Sequence, residues 1–325
     1  MTTRFLAVCA LAMPLAASAY AQPPAQAWPT KPVRVVVPFA PGGTADTLGR
    51  IVAIRLSERF GQSFVVENRG GAGGLIGADL VAKGAPDGYT LVVSGIGPLV
   101  VATALSSKSP FDPLKDFTHI ALFGGPPSVF AVHPSVPAKD LKGFIALAEA
   151  KPGAMSYGSA GNGSMGQLLA ELFKQIAGID VRHVPYKGAS GALVDVVAGH
   201  IDAVSTTLTT TGAPMRAGKV RALAMSSAAR LADYADVPTF KELGYPQLVA
   251  SVWFSLSRPA RMSADIVERL NGEVRRILQV PDVRERLRPE GIEPGTLDAK
   301  AFAEFVAAEV QRWAPVVRAS GARAH

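Results

Sequence analysis

The chain predicts an α/β protein built from two mostly parallel sheets flanked by helices. Short Val-rich runs alternate with stretches of helical apolar spacing. The alternation stops and restarts near residue 129, and two long amphipathic segments close the chain. Strand followed by helix, repeated, is the pattern of doubly wound parallel sheets.

In the first half, Val33 to Pro38 is a continuous apolar run of the buried parallel-strand kind. Asp46 to Phe60 has helical spacing and is closed by Gly61. Phe64 to Glu67 reads as a strand, ENRGGAGG as a loop, Leu75 to Lys83 as a helix and Thr90 to Ser94 as a third strand. In the second half the order is strand Val129 to Val132, helix Leu141 to Ala150, strand Met155 to Gly158 and helix Met165 to Ala177. Strand Val181 to Val184, helix Ala189 to Ala198, strand Ala203 to Ser205 and strand Val220 to Met225 follow. A last strand is expected within Leu248 to Leu256, then helices Ala264 to Leu278 and Ala299 to Ala319. The first sheet has too few elements to bury both faces, so these late helices should pack back on it. That gives a discontinuous first domain, 28–125 plus 251–325, and a second domain, 126–250, with a cleft between them.

Arg4, the apolar run Phe5 to Ala17 and Ala19-Tyr20-Ala21 have the layout of a secretory signal peptide over residues 1–21, with a run too short to span a bilayer. The single cysteine, Cys9, lies inside it, so the mature chain would hold no disulfide, thiolate nucleophile or zinc-cysteine site. The formal net charge of +7 is spread without a run, which argues against nucleic-acid binding and suits, modestly, an anionic small ligand. No cofactor is called for.

Two stretches have the same design. Strand VRVVVP leads into Phe39-Ala40-Pro41-Gly42-Gly43-Thr44 and a helix, and strand MSYG leads into Ser159-Ala160-Gly161-Asn162-Gly163-Ser164 and a helix. Each puts glycines and a hydroxyl at a helix N-terminus, where unpaired N–H groups and the positive end of the macrodipole favour an anion. Thr44 and Ser164 could equally cap their own helices. Ligands of open α/β sheets sit beyond the carboxyl ends of the strands, where both loops lie. Two such cradles across a cleft would grip one small anion and close by a hinge.

Gly161, Gly163 and Gly166 also fit G-x-G-x-x-G, with Asp180 nearly at the ribose-binding distance. Asp180 precedes its strand instead of ending it, and an exported protein seldom meets nicotinamide, so a carboxylate is the better candidate. On this reading Gly166 is incidental. The serine motifs miss the nucleophile elbow at its first glycine, and the five histidines show no ligand spacing. A secreted hydrolase with a serine assembled in space stays open as a rival.

The runs WPTKPVRVVVPFAPGGTAD, VVENRGGAGGLIGADLVAKGAPDGYTL, YGSAGNGS, HVPYKGA, RALA and DVPTFKELGYP resemble the substrate-binding proteins of tripartite tricarboxylate transporters, the Bug-type or TctC family, from Trp28 to about Gly321. The resemblance implies a type II periplasmic binding fold of the Venus-flytrap kind and no enzymatic activity. It implies a small carboxylate held largely by backbone N–H groups, and delivery to a tripartite-type membrane permease or to a sensor. A monomer is expected. Carried over, the ligand-facing positions are Phe39, Gly42, Gly43, Thr44 and Asp46, then Ser94 and Gly97 in the region Ser94 to Pro98, and Ser159, Ala160, Gly161, Gly163 and Ser164. The turn Tyr186-Lys187-Gly188 reads as more structural than ligand-facing. The chain departs from the family pattern at Gln167, usually His, and at Thr206, usually an acid at the cleft edge. The second change removes an acceptor for ligand amines and points to a ligand without an ammonium group.

Overall fold

The structure is a computed structural model, and it describes residues 28–319 apart from Ala40, Ser107 and Lys187. The signal-peptide reading, Cys9, Lys187 and His325 lie outside the described residues.

Two five-stranded sheets carry the fold. Strands β1 (Val33–Val37), β2 (Phe64–Asn68) and β3 (Thr90–Gly95) are joined by helices α1 (Thr44–Phe60) and α2 (Leu75–Ala82). After the short helix α3 (Ala102–Leu105), β4 (Phe117–Gly124) ends the first pass. The second sheet uses β5 (Ser128–Val132), α4 (Leu141–Ala150), β6 (Ser156–Ser159), α5 (Met165–Ala177) and β7 (Arg182–Pro185). It is completed by α6 (Ala189–Ala198), β8 (Ala203–Thr207), α7 (Leu208–Arg216) and β9 (Arg221–Met225). The chain then returns through β10 (Phe254–Pro259) to α8 (Ala264–Leu278), α9 (Pro281–Leu287) and α10 (Ala299–Ala319).

The strand orders are β2-β1-β3-β10-β4 and β7-β6-β8-β5-β9. In each sheet one strand runs against its neighbours: β10 between β3 and β4, and β5 between β8 and β9. Each antiparallel strand is the first to arrive after the chain has crossed from the other sheet. The crossing segments are tied together, with Val252 N–H donating to Pro126 O at 2.9 Å and a bridge between Pro127 and Ser251. Added Cβ atoms at Gly124 and Gly125 would lie 2.0 Å from Glu293 O and 2.1 Å from Val252 O, so no larger residue fits where the backbones meet.

Residues with alternating side chains divide the core by face. Val33, Val35, Val37, Leu91 and Val93 pack under α1 and α8, while Val36, Val92 and Ile96 look the other way, towards Phe302, Val306 and Trp313 of α10. The late helices do cover the first sheet. α10 also touches α5 of the second sheet, so a single apolar cluster runs through both halves.

The structure departs from the sequence expectation at several elements. β4 is not legible in the sequence because Thr118 and His119 break its apolar run. His119 is buried all the same: Nε2–H donates to Pro113 O and Nδ1 accepts from the Ser257 hydroxyl, both at 3.0 Å. α7 reads as a loop because LTTTGAPMR is rich in β-branched residues and holds Gly212 and Pro214. Packing decides it instead, with Leu208, Thr211 and Gly212 buried. The expected strand at Leu248 to Leu256 begins only at Phe254, after a tight turn at Pro246–Leu248.

Candidate functional site

Strand β1 ends into Phe39, and the backbone turns through Gly42, at φ 82°, into Gly43, the N-cap of α1. Gly43 offers no side-chain cap, so Thr44 is the first helical residue and not the cap. The N–H groups of Thr44 and Ala45 have no intrahelical acceptor at this end. Gly42 and Gly43 are exposed, Thr44 is half-buried and Ala45 is buried.

Asp46 holds this loop from behind. Its Oδ2 accepts from Gly42 N–H and from Arg50 Nε, both at 2.9 Å, and its Oδ1 accepts from Asn68 Nδ2 at 2.9 Å. The same Asn68 amide donates to Phe39 O at 3.1 Å. Burial alone would raise the Asp46 carboxyl, but the bonds from Arg50, Gly42 and Asn68 outweigh it and hold the pKa near 2. Asp46 is 4% exposed and its lone pairs are committed, so the expectation that it faces a ligand is corrected: it shapes the loop.

The second loop is built differently. Ser164 is the N-cap of α5, its hydroxyl accepting from Gln167 N–H at 3.3 Å, and Gln167 Oε1 reaches back to Gly163 N–H at 2.6 Å. This is close to a capping box, moved one residue outwards. Gly161 and Gly163 have φ of 125° and 75°, conformations that suit glycine. A Cβ on Gly161 would sit 2.6 Å from Tyr186 O, and Tyr186 N–H donates to Ser159 O at 3.2 Å. The Tyr186 turn is therefore the wall against which this loop is laid. Ala160, Gly161, Gly163 and Ser164 are all partly exposed.

Ser159 is not. Its Oγ lies 2.7 Å from His183 Nε2 and 3.2 Å from both Gly161 N and Gly161 O, and the residue is fully buried. A serine beside a histidine suggests a nucleophile, but a hydroxyl sealed from the cleft cannot meet a carbonyl. It braces the loop. Ser94 is likewise fully buried, opposite Ser255 in the β3–β10 pairing, and its hydroxyl has no partner. Thr206 is 3% exposed. For these three, contact through the side chain gives way to support from inside the sheets.

The third region continues from β3 through a turn of π-helix at Gly97–Val101 into α3. This segment touches both loops. A Cβ at Gly97 would be 3.8 Å from Phe39 Cζ, and one at Gly163 would meet Leu105 Cδ1 at 2.6 Å and Val101 Cγ1 at 3.4 Å. The Gly97–Leu105 segment thus packs against Phe39, which opens the first loop, and against Gly163 of the second. Among the described residues no three His, Cys, Asp or Glu side chains gather as metal ligands.

Gly166 needs correction too. A Cβ there would lie 2.0 Å from Ser205 O, and the Ser205 hydroxyl donates to Gly166 O at 2.7 Å. Far from incidental, Gly166 is where α5 meets β8 backbone to backbone, the packing role of the third glycine in the dinucleotide pattern. A cavity of about 450 Å³ also exists at the crossing segments, among Gly124, Gly125, Val249, Trp253 and Arg312. Its walls include no residue of either glycine loop.

Comparison with known proteins places the chain in a family. Residues 48–322 match the profile of the tripartite tricarboxylate transporter family receptor. Protein BugT of Bordetella pertussis is 37% identical over 320 residues, 98% of this chain and 96% of that protein. Among solved structures, R. palustris Rpa4515 with adipate is 35% identical with a TM-score of 0.80, over 91% of this chain and 99% of that one. MatC from Rhodopseudomonas palustris with bound malate is 34% identical with a TM-score of 0.76, over 89% of this chain and 100% of that one.

Proposed function

The chain belongs to the tripartite tricarboxylate transporter receptor family, and on that premise we propose that it captures a small organic carboxylate between its two glycine loops and delivers it to a tripartite-type permease. The family is one of periplasmic solute-binding receptors, which fits an N-terminal export signal on this chain and no catalytic role for Ser159. The observation that carries the reading is that the Gly97–Leu105 segment packs both against Phe39, which opens the loop Gly42–Thr44, and against Gly163 in the loop Gly161–Ser164. Phe39, Gly42, Gly43, Thr44, Gly97, Ala160, Gly161, Gly163 and Ser164 are the ligand-facing positions on this reading.

Charge-assisted bonds to backbone N–H groups contribute about 1.5 to 3 kcal/mol each, so a few from each loop suffice for micromolar binding after ordering costs. The relatives crystallised with malate and adipate support a carboxylate. Asp46, the acid beside the first loop, is committed to Arg50, Gly42 and Asn68. A ligand ammonium would lack an acceptor, so the ligand is a carboxylate without an amine. A thermal-shift screen of the chain against mono-, di- and tricarboxylates and amino acids tests this, because a ligand of the folded state raises the melting point. Calorimetry showing tight binding of an amino acid and none of any simple carboxylate would refute it.

A further inference from the structure

Behind the second loop, a run of hydrogen bonds has every direction set by one backbone group. Gly163 N–H can only donate, so the side-chain atom of Gln167 at 2.6 Å from it is the carbonyl oxygen. The amide nitrogen of Gln167 then faces His183 Nδ1, at 3.3 Å. An amide NH2 has no lone pair to offer, so Nδ1 must be bare and the ring proton sits on Nε2. That proton points at Ser159 Oγ, 2.7 Å away, and the serine can pass its own hydrogen to Gly161 O at 3.2 Å. Both ends of the run are cradle backbone: Gly163 at one, Gly161 at the other. Gln167 is 4% exposed and Ser159 fully buried, so the partners are not readily replaced by water.

We propose that Gln167 and His183 are positioning residues of the second cradle. A neutral His183 with its proton on Nε2, together with a Gln167 amide oriented by Gly163, keeps Gly161 and Gly163 in ligand-ready shape, and a second proton on His183 undoes that shape. This rests on the reading of Gly161–Ser164 as ligand-facing. A proton on Nδ1 would confront the Gln167 NH2. Turning the amide would put that NH2 against Gly163 N–H instead. Either way one inward donor loses its acceptor, and the strain falls on the loop.

The charged and titratable groups around the ring are Glu171 and Lys174 on α5 and Tyr157 on β6. Tyr157 stacks on the imidazole with centroids 4.9 Å apart and donates to Glu171 at 2.6 Å, and Lys174 Nζ lies 3.0 Å from both Glu171 oxygens. Glu171 is therefore already neutralised. Burial lowers the His183 pKa, the pull of Glu171 opposes this and Lys174 adds to it, so the ring is neutral at pH 7.

Nuclear magnetic resonance of the 15N-labelled chain without ligand tests the relay directly, with the His183 ring signals assigned through His183→Asn. The expected result is the Nε2–H tautomer at pH 7.5 and a Gly163 amide signal that moves with the His183 midpoint, below 6.5. In Gln167→Glu one carboxylate can accept from both Gly163 N–H and a charged His183, so the midpoint should rise by about one to three pH units. An Nδ1–H tautomer, a Gly163 signal indifferent to His183, or an unmoved midpoint in Gln167→Glu would each overturn the proposal. Calorimetry with malate as probe adds a separate arm: the loss of affinity from pH 7.5 to pH 5, malate's own protonation included, should be greater in the unmodified chain than in Gln167→Glu, and equal losses would overturn the proposal. If malate binds at neither pH the carboxylate assignment for malate fails, while the resonance data still decide the relay.

Discussion

Replacing Gly166 by alanine should cost more than any other single methyl added to this helix, and the amount follows from the geometry. The new Cβ would lie 2.0 Å from Ser205 O, against roughly 3.3 Å for the shortest comfortable carbon–oxygen contact. Ser205 is in β8, between β6 and β5, so its carbonyl cannot retreat. The N-terminus of α5 must lift by over about 1 Å, which breaks the 2.7 Å bond from the Ser205 hydroxyl to Gly166 O. Overpacking costs about 1 to 3 kcal/mol and the lost bond about 0.5 to 1.5 kcal/mol, so we expect a loss of about 2 to 4 kcal/mol. The melting temperature should drop by roughly 5 to 15 °C. Gly272→Ala is the control, since nothing lies within 4 Å of its Cβ and α8 is helical there; it should be neutral or gain up to about 1 kcal/mol. Thermal and urea unfolding followed by circular dichroism measure both. A Gly166→Ala protein melting with the parent would refute the backbone-contact argument.

Gly163→Ala should behave otherwise: its φ of 75° costs about 1 to 2 kcal/mol, but the 2.6 Å clash is with the tip of Leu105, which can rotate, so ligand affinity is lost well before the fold, as calorimetry would show. His119 has its pKa pushed down to about 4 from 6.5 by burial. The neutral ring is the one the fold accepts, so stability is intact above pH 6.5 and falls as the pH drops towards 4, by about 3.5 kcal/mol in all. His119→Gln should flatten that part of a stability-against-pH curve. Asp46, held near 2 from 3.8, contributes about 2 kcal/mol that is present above pH 4 and lost as the pH falls towards 2. Asp46→Ala should show that loss at neutral pH by urea unfolding and should weaken carboxylate binding, because Gly42 N–H loses its acceptor.

Much of this protein is legible from local pattern. The helices at Met165–Ala177, Ala189–Ala198, Ala264–Leu278 and Ala299–Ala319 coincide with their expected bounds, because caps and apolar spacing are set within a few residues. The two glycine loops are legible for the same reason: glycine before a helix start is a local signal of an exposed row of N–H groups. Elements whose stability comes from elsewhere were not. Strand β4 carries a histidine that only the Pro113 carbonyl and the Ser257 hydroxyl make tolerable inside, and α7 holds a proline and three threonines that only packing keeps helical.

By itself, then, the sequence determined the alternation of strands and helices, the return of the late helices, the family, and the two glycine loops at helix starts, since each depends on periodicity or on neighbours along the chain. The three-dimensional structure decided what each polar residue in those motifs does. Asp46, Ser94, Ser159 and Gly166 all sit at strand ends or helix starts in the sequence, yet all face inwards as supports. His183 and Gln167, 16 positions apart, meet only because β7 lies beside β6, whose end leads into α5. Which hydrogen bond a side chain makes depends on what the fold brings across from it, and that partner can be any distance away in the chain.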